Sequence, residues 1–190
     1  MIVGITGGTG CGKTTLLNAL ERCGALVLDC DAIYHELLKT DAALLEAIAD
    51  RFPGTVEKGV LQRKKLGAIV FGDPAALADL NAITHSAVKA EVIRRLESVP
   101  ALAAIDAIAL FEGGLGELCD VTVAVCAPEE DRVARIMKRD GISRAYALSR
   151  VRAQKDEEYF RQNCDHVLVN DGTLGEFEEK CRTFLDFLLE

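Results

Sequence analysis

The chain has no surplus of positive charge. Its 30 acidic residues outnumber 22 lysines and arginines, giving a net charge of −8. A surface of that sign repels polyanions, so neither nucleic acid nor an anionic membrane is expected as a partner. Any anionic ligand must then be held by a local cluster of basic groups. No stretch approaches the roughly 20 apolar residues of a membrane span, and the longest candidate, "VPALAAIDAIALF", carries Asp106 at its middle. The start "MIVGITGG" has neither the charged segment nor the long apolar run of a secretory signal, so a cytoplasmic protein is expected. The seven cysteines are odd in number and include no CxxC pair and no Cys/His metal spacing. They are expected to be reduced and mostly buried thiols. There is no internal repeat, low-complexity tract or flexible linker in the 190 residues, which suit one domain with a real core.

What the chain does have is "GITGGTGCGKTT" at residues 4–15. Within it, Gly7 to Thr14 matches G-x-x-x-x-G-K-[ST] at every fixed position. Glycines let such a loop bring backbone N–H groups close to phosphate oxygens. The helix that follows points its positive end at the same oxygens. Gly10, Cys11, Gly12, Lys13, Thr14 and Thr15 are therefore expected to cradle the phosphates of ATP, with Lys13 on the β- and γ-phosphates and the Thr14 hydroxyl on Mg²⁺. The context agrees: "IVGIT" before the loop reads as a buried strand, and "KTTLLNALERC" after it places Leu16, Leu17 and Leu20 at helical spacing.

The rest of the pattern predicts an α/β fold, a mainly parallel sheet flanked by helices. "ALVLDCD" reads as a second strand with Asp29 and Asp31 at its carboxyl end, followed by a short helix, "AIYHELLK". From Asp41 to about Leu96 the patterning is mostly helical, broken by Pro53-Gly54, with Pro74 near the first turn of a long helix. This predicts a helical insertion, about residues 35–95. Strands return in "LAAIDAIALFE", ending near Glu112, in "DVTVAVCA" and in "HVLVN". Helices are expected over "PEEDRVARIMKRD", over "SRAYALSRVRAQKDEEYFRQ" as one unit, and over "TLGEFEEKCRTFLDFLLE".

A phosphate loop serves switches, motors, kinases and sensors alike. The guanine-reading N-K-x-D of a GTPase is missing, and the chain is short for a motor. A kinase needs a base for the acceptor hydroxyl and positive cover for the transferring group. Asp31 supplies the first, because ligands of open α/β sheets bind at the carboxyl edge. Arg132, Arg135 and Arg139 fall at i, i+3 and i+7 on one helical face and supply the second. A P-loop kinase acting on some other small-molecule or nucleotide acceptor, and a non-catalytic ATP-binding regulator, both remain open from the residues alone.

The whole chain also resembles the dephospho-coenzyme A kinase family. The resemblance rests on the phosphate loop, then "VLDCDAIYHELL", "LQRKKLGAIVF", "LNAITHSAV", "ALFE", "RVARIMKRDG", "SRVRAQ" and "CDHVLVNDG", in that order. It implies phosphorylation of the ribose 3′-hydroxyl of dephospho-coenzyme A by MgATP, the last step of coenzyme A synthesis. It implies a five-stranded parallel P-loop core, a helical acceptor-binding insertion and a lid, here about residues 132–160. By the same resemblance Asp31 is the base, Arg135 and Arg139 lie near ATP, and Asn170 near its adenine. His35, Arg63, His85 and Glu112 would line the acceptor pocket. A small-molecule substrate and a monomer or weak homo-oligomer are expected. The chain departs from the family pattern at His35, where arginine is common, at Ser86 and Ile108, where proline is, at Cys30, where alanine is, and at Arg132, where glutamine is.

Overall fold

The computed structural model describes residues 1–98 and 101–189. Five strands form one parallel sheet: β1 (Ile2–Thr6), β2 (Leu26–Asp29), β5 (Ala103–Asp106), β6 (Val121–Cys126) and β7 (His166–Val169). Their order across the sheet is β2-β5-β1-β6-β7. β1 is central, and the chain crosses to one side of it for β2 and β5 and to the other for β6 and β7. The crevice at that reversal, outside the carboxyl ends of the strands, is where such sheets bind ligands. The phosphate loop leaves β1 at that point.

Strand side chains alternate between two cores, as the pleat requires. Val3, Ile5, Ala104, Val123 and Val125 pack against α1 (Lys13–Arg22) and α9 (Leu174–Leu189), through Leu16, Leu20, Phe177, Cys181 and Leu185. On the opposite face Leu28, Ile105, Ala107 and Leu110 meet the inserted module. That module comprises α2 (Cys30–Thr40), α3 (Ala42–Arg51), the hairpin β3 (Val56–Glu57) with β4 (Val60–Leu61), α4 (Arg63–Val70) and α5 (Pro74–Leu96). The chain then continues through α6 (Glu129–Asp140), α7 (Arg144–Arg152) and α8 (Glu157–Asn163).

Local chemistry explains the boundaries. Asp73 caps α5, its carboxylate accepting from Ala75 N–H and Ala76 N–H at 2.9 and 3.2 Å, with Pro74 at the first helical position. Asp29 caps α2 by accepting from Ala32 N–H at 3.0 Å.

Four expectations need correction. The second strand stops at Asp29, so Asp31 sits in the first turn of α2 rather than on a strand. β5 stops at Asp106, six residues before Glu112, because the chain turns there: Gly113 N–H and Gly114 N–H bond back to Ala109 and Phe111. The run from Ser143 is two helices, since Asp156 caps a new one by accepting from Tyr159 N–H at 2.9 Å. The insertion is not wholly helical: Lys58 and Gly59, with φ of 52° and 74°, turn the hairpin. The predicted ends of the long helix at Val99 and of the closing helix at Glu190 lie outside the described residues.

Candidate active site

The phosphate loop lies between β1 and α1. Gly7 has a φ of 130°, and a Cβ there would lie 2.2 Å from the Val125 carbonyl oxygen. Only glycine permits that approach. Gly12, in the left-handed region, precedes α1, which has no side-chain cap; Thr15 N–H donates to the Gly12 carbonyl, and the Lys13 and Thr14 N–H groups before it are the ones open to an anion. Lys13 folds back across the loop, its Nζ donating to the Gly7 carbonyl at 2.9 Å.

A cleft of about 430 Å³ opens above this loop. Gly10, Gly12, Lys13 and Thr14 form its floor, Arg135, Arg139 and Arg150 one wall, and Asp31, Asp106 and Ile108 the other. Arg135 Nη1 donates to the Gly10 carbonyl at 3.2 Å, and Arg139 Nη2 to Thr9 Oγ1 at 3.3 Å. Asp140 holds Arg139 and Arg150 together, accepting from Arg139 Nε at 2.6 Å and Arg150 Nη1 at 2.7 Å. Those two guanidiniums pull the Asp140 carboxyl down to about 2. The expected trio of cover arginines is therefore divided. Arg132 passes behind the loop instead of facing the cleft, and Arg150 joins the wall in its place.

A second hollow of about 180 Å³ adjoins the first. Cys30, Asp31, Tyr34, His85, Ile108 and Gly113 are among its lining residues. Asp31 and Ile108 face both hollows, so one carboxylate stands between a phosphate cleft and a more apolar cavity. The buried Thr6 hydroxyl fixes this divide by donating to the Ile108 carbonyl at 3.1 Å.

Asp106, like Arg150, is a site residue that sequence reasoning missed. It ends β5 opposite Asp29, and its Oδ1 is buried with no hydrogen-bond partner. Burial pushes its carboxyl up to about 6; Lys13 pulls against this, and Asp29 and Asp31 add to it. The available signal was that Asp106 is the only charged residue in an otherwise apolar run leading to a strand end.

The remaining expected residues are distributed unevenly. His85 lines the smaller hollow. His35 and Arg63 meet each other, Arg63 Nη2 lying 3.4 Å from His35 Nδ1, on an exposed flank close to Tyr34. Glu112 is exposed at the outer end of its turn, 3.5 Å from the Tyr159 hydroxyl. Asn170 is buried behind the loop, where its Nδ2 donates to the Cys11 carbonyl at 2.9 Å. Its amide is thus engaged in bracing the loop. Thr15, at the start of α1, opens onto a separate groove between α1 and α9. Cys11 is 2% exposed, and burial raises its thiol pKa, which argues against a reactive thiol there.

Known proteins resemble the chain in sequence and fold. The family model described as dephospho-CoA kinase matches residues 1–176. A dephospho-CoA kinase of Salinibacter ruber is 37% identical, with 94% of this chain and 92% of the relative covered. Among solved structures, TT1252 from Thermus thermophilus superposes with a TM-score of 0.82 at 36% identity, covering 99% of this chain and 97% of the other. The dephospho-CoA kinase from Campylobacter jejuni does so with 0.69 at 26% identity, covering 98% and 96%. With a phosphate loop, a facing carboxylate and this likeness along nearly its full length, the chain belongs to the dephospho-CoA kinase family.

Proposed function

We propose that the chain transfers the γ-phosphoryl group of ATP to the ribose 3′-hydroxyl of dephospho-coenzyme A, with Asp31 as the base. The observation that carries this reading is the position of Asp31 on the wall common to both hollows. A hydroxyl entering from the smaller hollow and a γ-phosphate resting in the larger one would meet at this carboxylate. Asp31 then orients the hydroxyl and takes its proton as the oxygen attacks phosphorus in line with the departing bridging oxygen. Lys13 and the loop N–H groups neutralise charge on the phosphates, while Arg135, Arg139 and Arg150 cover the transferring group.

The residues present fit a magnesium ion. The Thr14 hydroxyl faces the cleft, and the orphaned Asp106 oxygen supplies a hard anionic partner beside it. Among the described residues no group of three His, Cys, Asp or Glu side chains forms an all-protein cage. Magnesium suits such a site, because it takes one or two protein ligands and completes its shell with phosphates and water. When bound, the ion would neutralise charge on the β- and γ-phosphates.

His85 and Tyr34, which line the smaller hollow, would contact the acceptor, and the His35–Arg63 pair, close to Tyr34, would meet its charged groups. Residues of about 132–160 serve as the lid, carrying the cover arginines and excluding water, which would compete as acceptor.

The test is ADP formation from MgATP with and without dephospho-coenzyme A, with the product mass checked and Lys13→Ala as control. Acceptor-dependent ADP and a product heavier by one phosphoryl group are expected. ATP binding without turnover would overturn the reading in favour of a regulator, and turnover with a different hydroxyl acceptor would replace the substrate.

A further inference from the structure

Arg132 is a cation without a counter-ion. It is 9% exposed, yet among the described residues it makes no ion pair. Glu129, a carboxylate on α6 that feels its charge, is held by Arg152 at 3.0 Å. Its guanidinium instead grips neutral groups of the phosphate loop from behind. Nε donates to the Thr9 carbonyl at 3.1 Å, and Nη2 donates to Gln154 Oε1 at 2.7 Å. The same Gln154 oxygen accepts from the Thr9 N–H at 2.9 Å. Both backbone polar groups of Thr9 are thereby fixed by two side chains, one from α6 and one from the joint between α7 and α8. The fit is close: a Cβ on Gly8 would lie 2.1 Å from Arg132 Nη2 and 2.8 Å from Gln154 Oε1.

Peptide geometry gives this contact a consequence in the cleft. In a trans peptide the C=O and the following N–H point in opposite directions, and the described chain has no cis peptide. With the Thr9 carbonyl held toward Arg132, the Gly10 N–H is turned the other way. Thr9, Gly10 and Gln154 line the phosphate cleft and Arg132 does not. We propose that Arg132 and Gln154 form a clamp on Thr9 that keeps the Gly10 N–H aimed at bound phosphate, which makes them positioning residues for the nucleotide. The inference rests on the phosphate-cleft reading above. It does not depend on the identity of the acceptor.

The clamp needs a planar fork, because one donor must meet the carbonyl while another meets the glutamine oxygen. An ammonium group carries the charge but not that geometry.

The experiment measures ADP affinity by calorimetry, together with kcat and the KM for ATP. It compares the full chain with Arg132→Gln, Arg132→Lys, Gln154→Ala and the double variant Arg132→Gln/Gln154→Ala. Arg132→Gln and Gln154→Ala should each weaken ADP binding and raise the KM for ATP about tenfold, the worth of a charge-assisted hydrogen bond. Their kcat and their KM for the acceptor should move little, because the amide serves bound and transferring phosphate alike. Arg132→Lys should behave like Arg132→Gln, and the double variant should be no worse than either single one. Unchanged ADP affinity in both single variants, whatever their stability, overturns the clamp. So does full affinity in Arg132→Lys, which would make the charge sufficient, or strictly additive losses in the double variant. A wild-type chain that binds ADP but phosphorylates no dephospho-coenzyme A defeats the functional reading alone, since the calorimetric comparison still decides the clamp.

Discussion

Two carboxylates about the phosphate cleft have different surroundings and therefore different expected roles. Asp31 is exposed between two hollows, where it can meet an incoming hydroxyl. Asp31→Asn should keep ATP binding and lower kcat by about 10²–10⁴, the usual worth of a positioned base, as read by steady-state turnover beside nucleotide titration. Asp106 is buried with one oxygen unpartnered, which costs stability in the absence of a ligand. Asp106→Asn should therefore melt a few degrees higher than wild type in the ligand-free state at pH 8, while losing most of its magnesium-dependent turnover. Scanning calorimetry and a magnesium titration check the two halves. Asp31 was legible in the sequence because a matching motif and a strand end surround it. Asp106 was not, because its role depends on the register that sets it beside Lys13. Asn170, expected near the adenine, donates its amide N–H to the Cys11 carbonyl and so also braces the loop.

At the level of elements, the parts legible in the sequence were those with strong local signals. α5 announces itself through Asp73, Pro74 and a long helical pattern, and β1 through five residues between an apolar start and a glycine loop. The break between α7 and α8 has only Asp156 to mark it, within a run of polar residues that favours a continuous helix. The division matters, because the joint sets Gln154 against Thr9 of the loop and sends α8 toward Glu112. Across the α6–α7 turn, Asp140 ties Arg139 to Arg150. Its carboxyl is depressed to about 2 from an ordinary 3.8. The direction of the pH effect follows: the ionised form is favoured in the native state, so its contribution is complete above pH 3.8 and is lost as pH falls through about 2. Denaturant unfolding of wild type and Asp140→Asn should show a stability gap that is constant near neutrality and narrows once the pH drops below 4. The same variant should raise the KM for ATP at neutral pH by loosening both arginines.

For the whole molecule, an acidic surface surrounds a basic cleft. The net charge is −8, while Lys13, Arg135, Arg139 and Arg150 face one hollow. ATP must approach a repelling surface and bind a small attractive region, so screening acts on both terms. The short-range contacts dominate the bound state, and the KM for ATP should rise several-fold when potassium chloride is increased tenfold from low ionic strength. A KM that falls with salt would show that surface repulsion controls binding instead. The architecture that makes this possible was broadly readable from alternating strands and helices, whereas the pairing order across the sheet required the structure.

The wall shared by the two hollows also constrains handedness. In the proposed transfer, donor phosphate and acceptor hydroxyl meet across the one carboxylate that lines both spaces, Asp31, and no other nucleophilic side chain among the described residues does so. On that reading the phosphoryl group makes one passage, without a stop on the protein. A single displacement turns the phosphorus centre inside out, whereas two would restore it. ATP made chiral at its γ-phosphorus with oxygen isotopes should accordingly yield a product of inverted configuration.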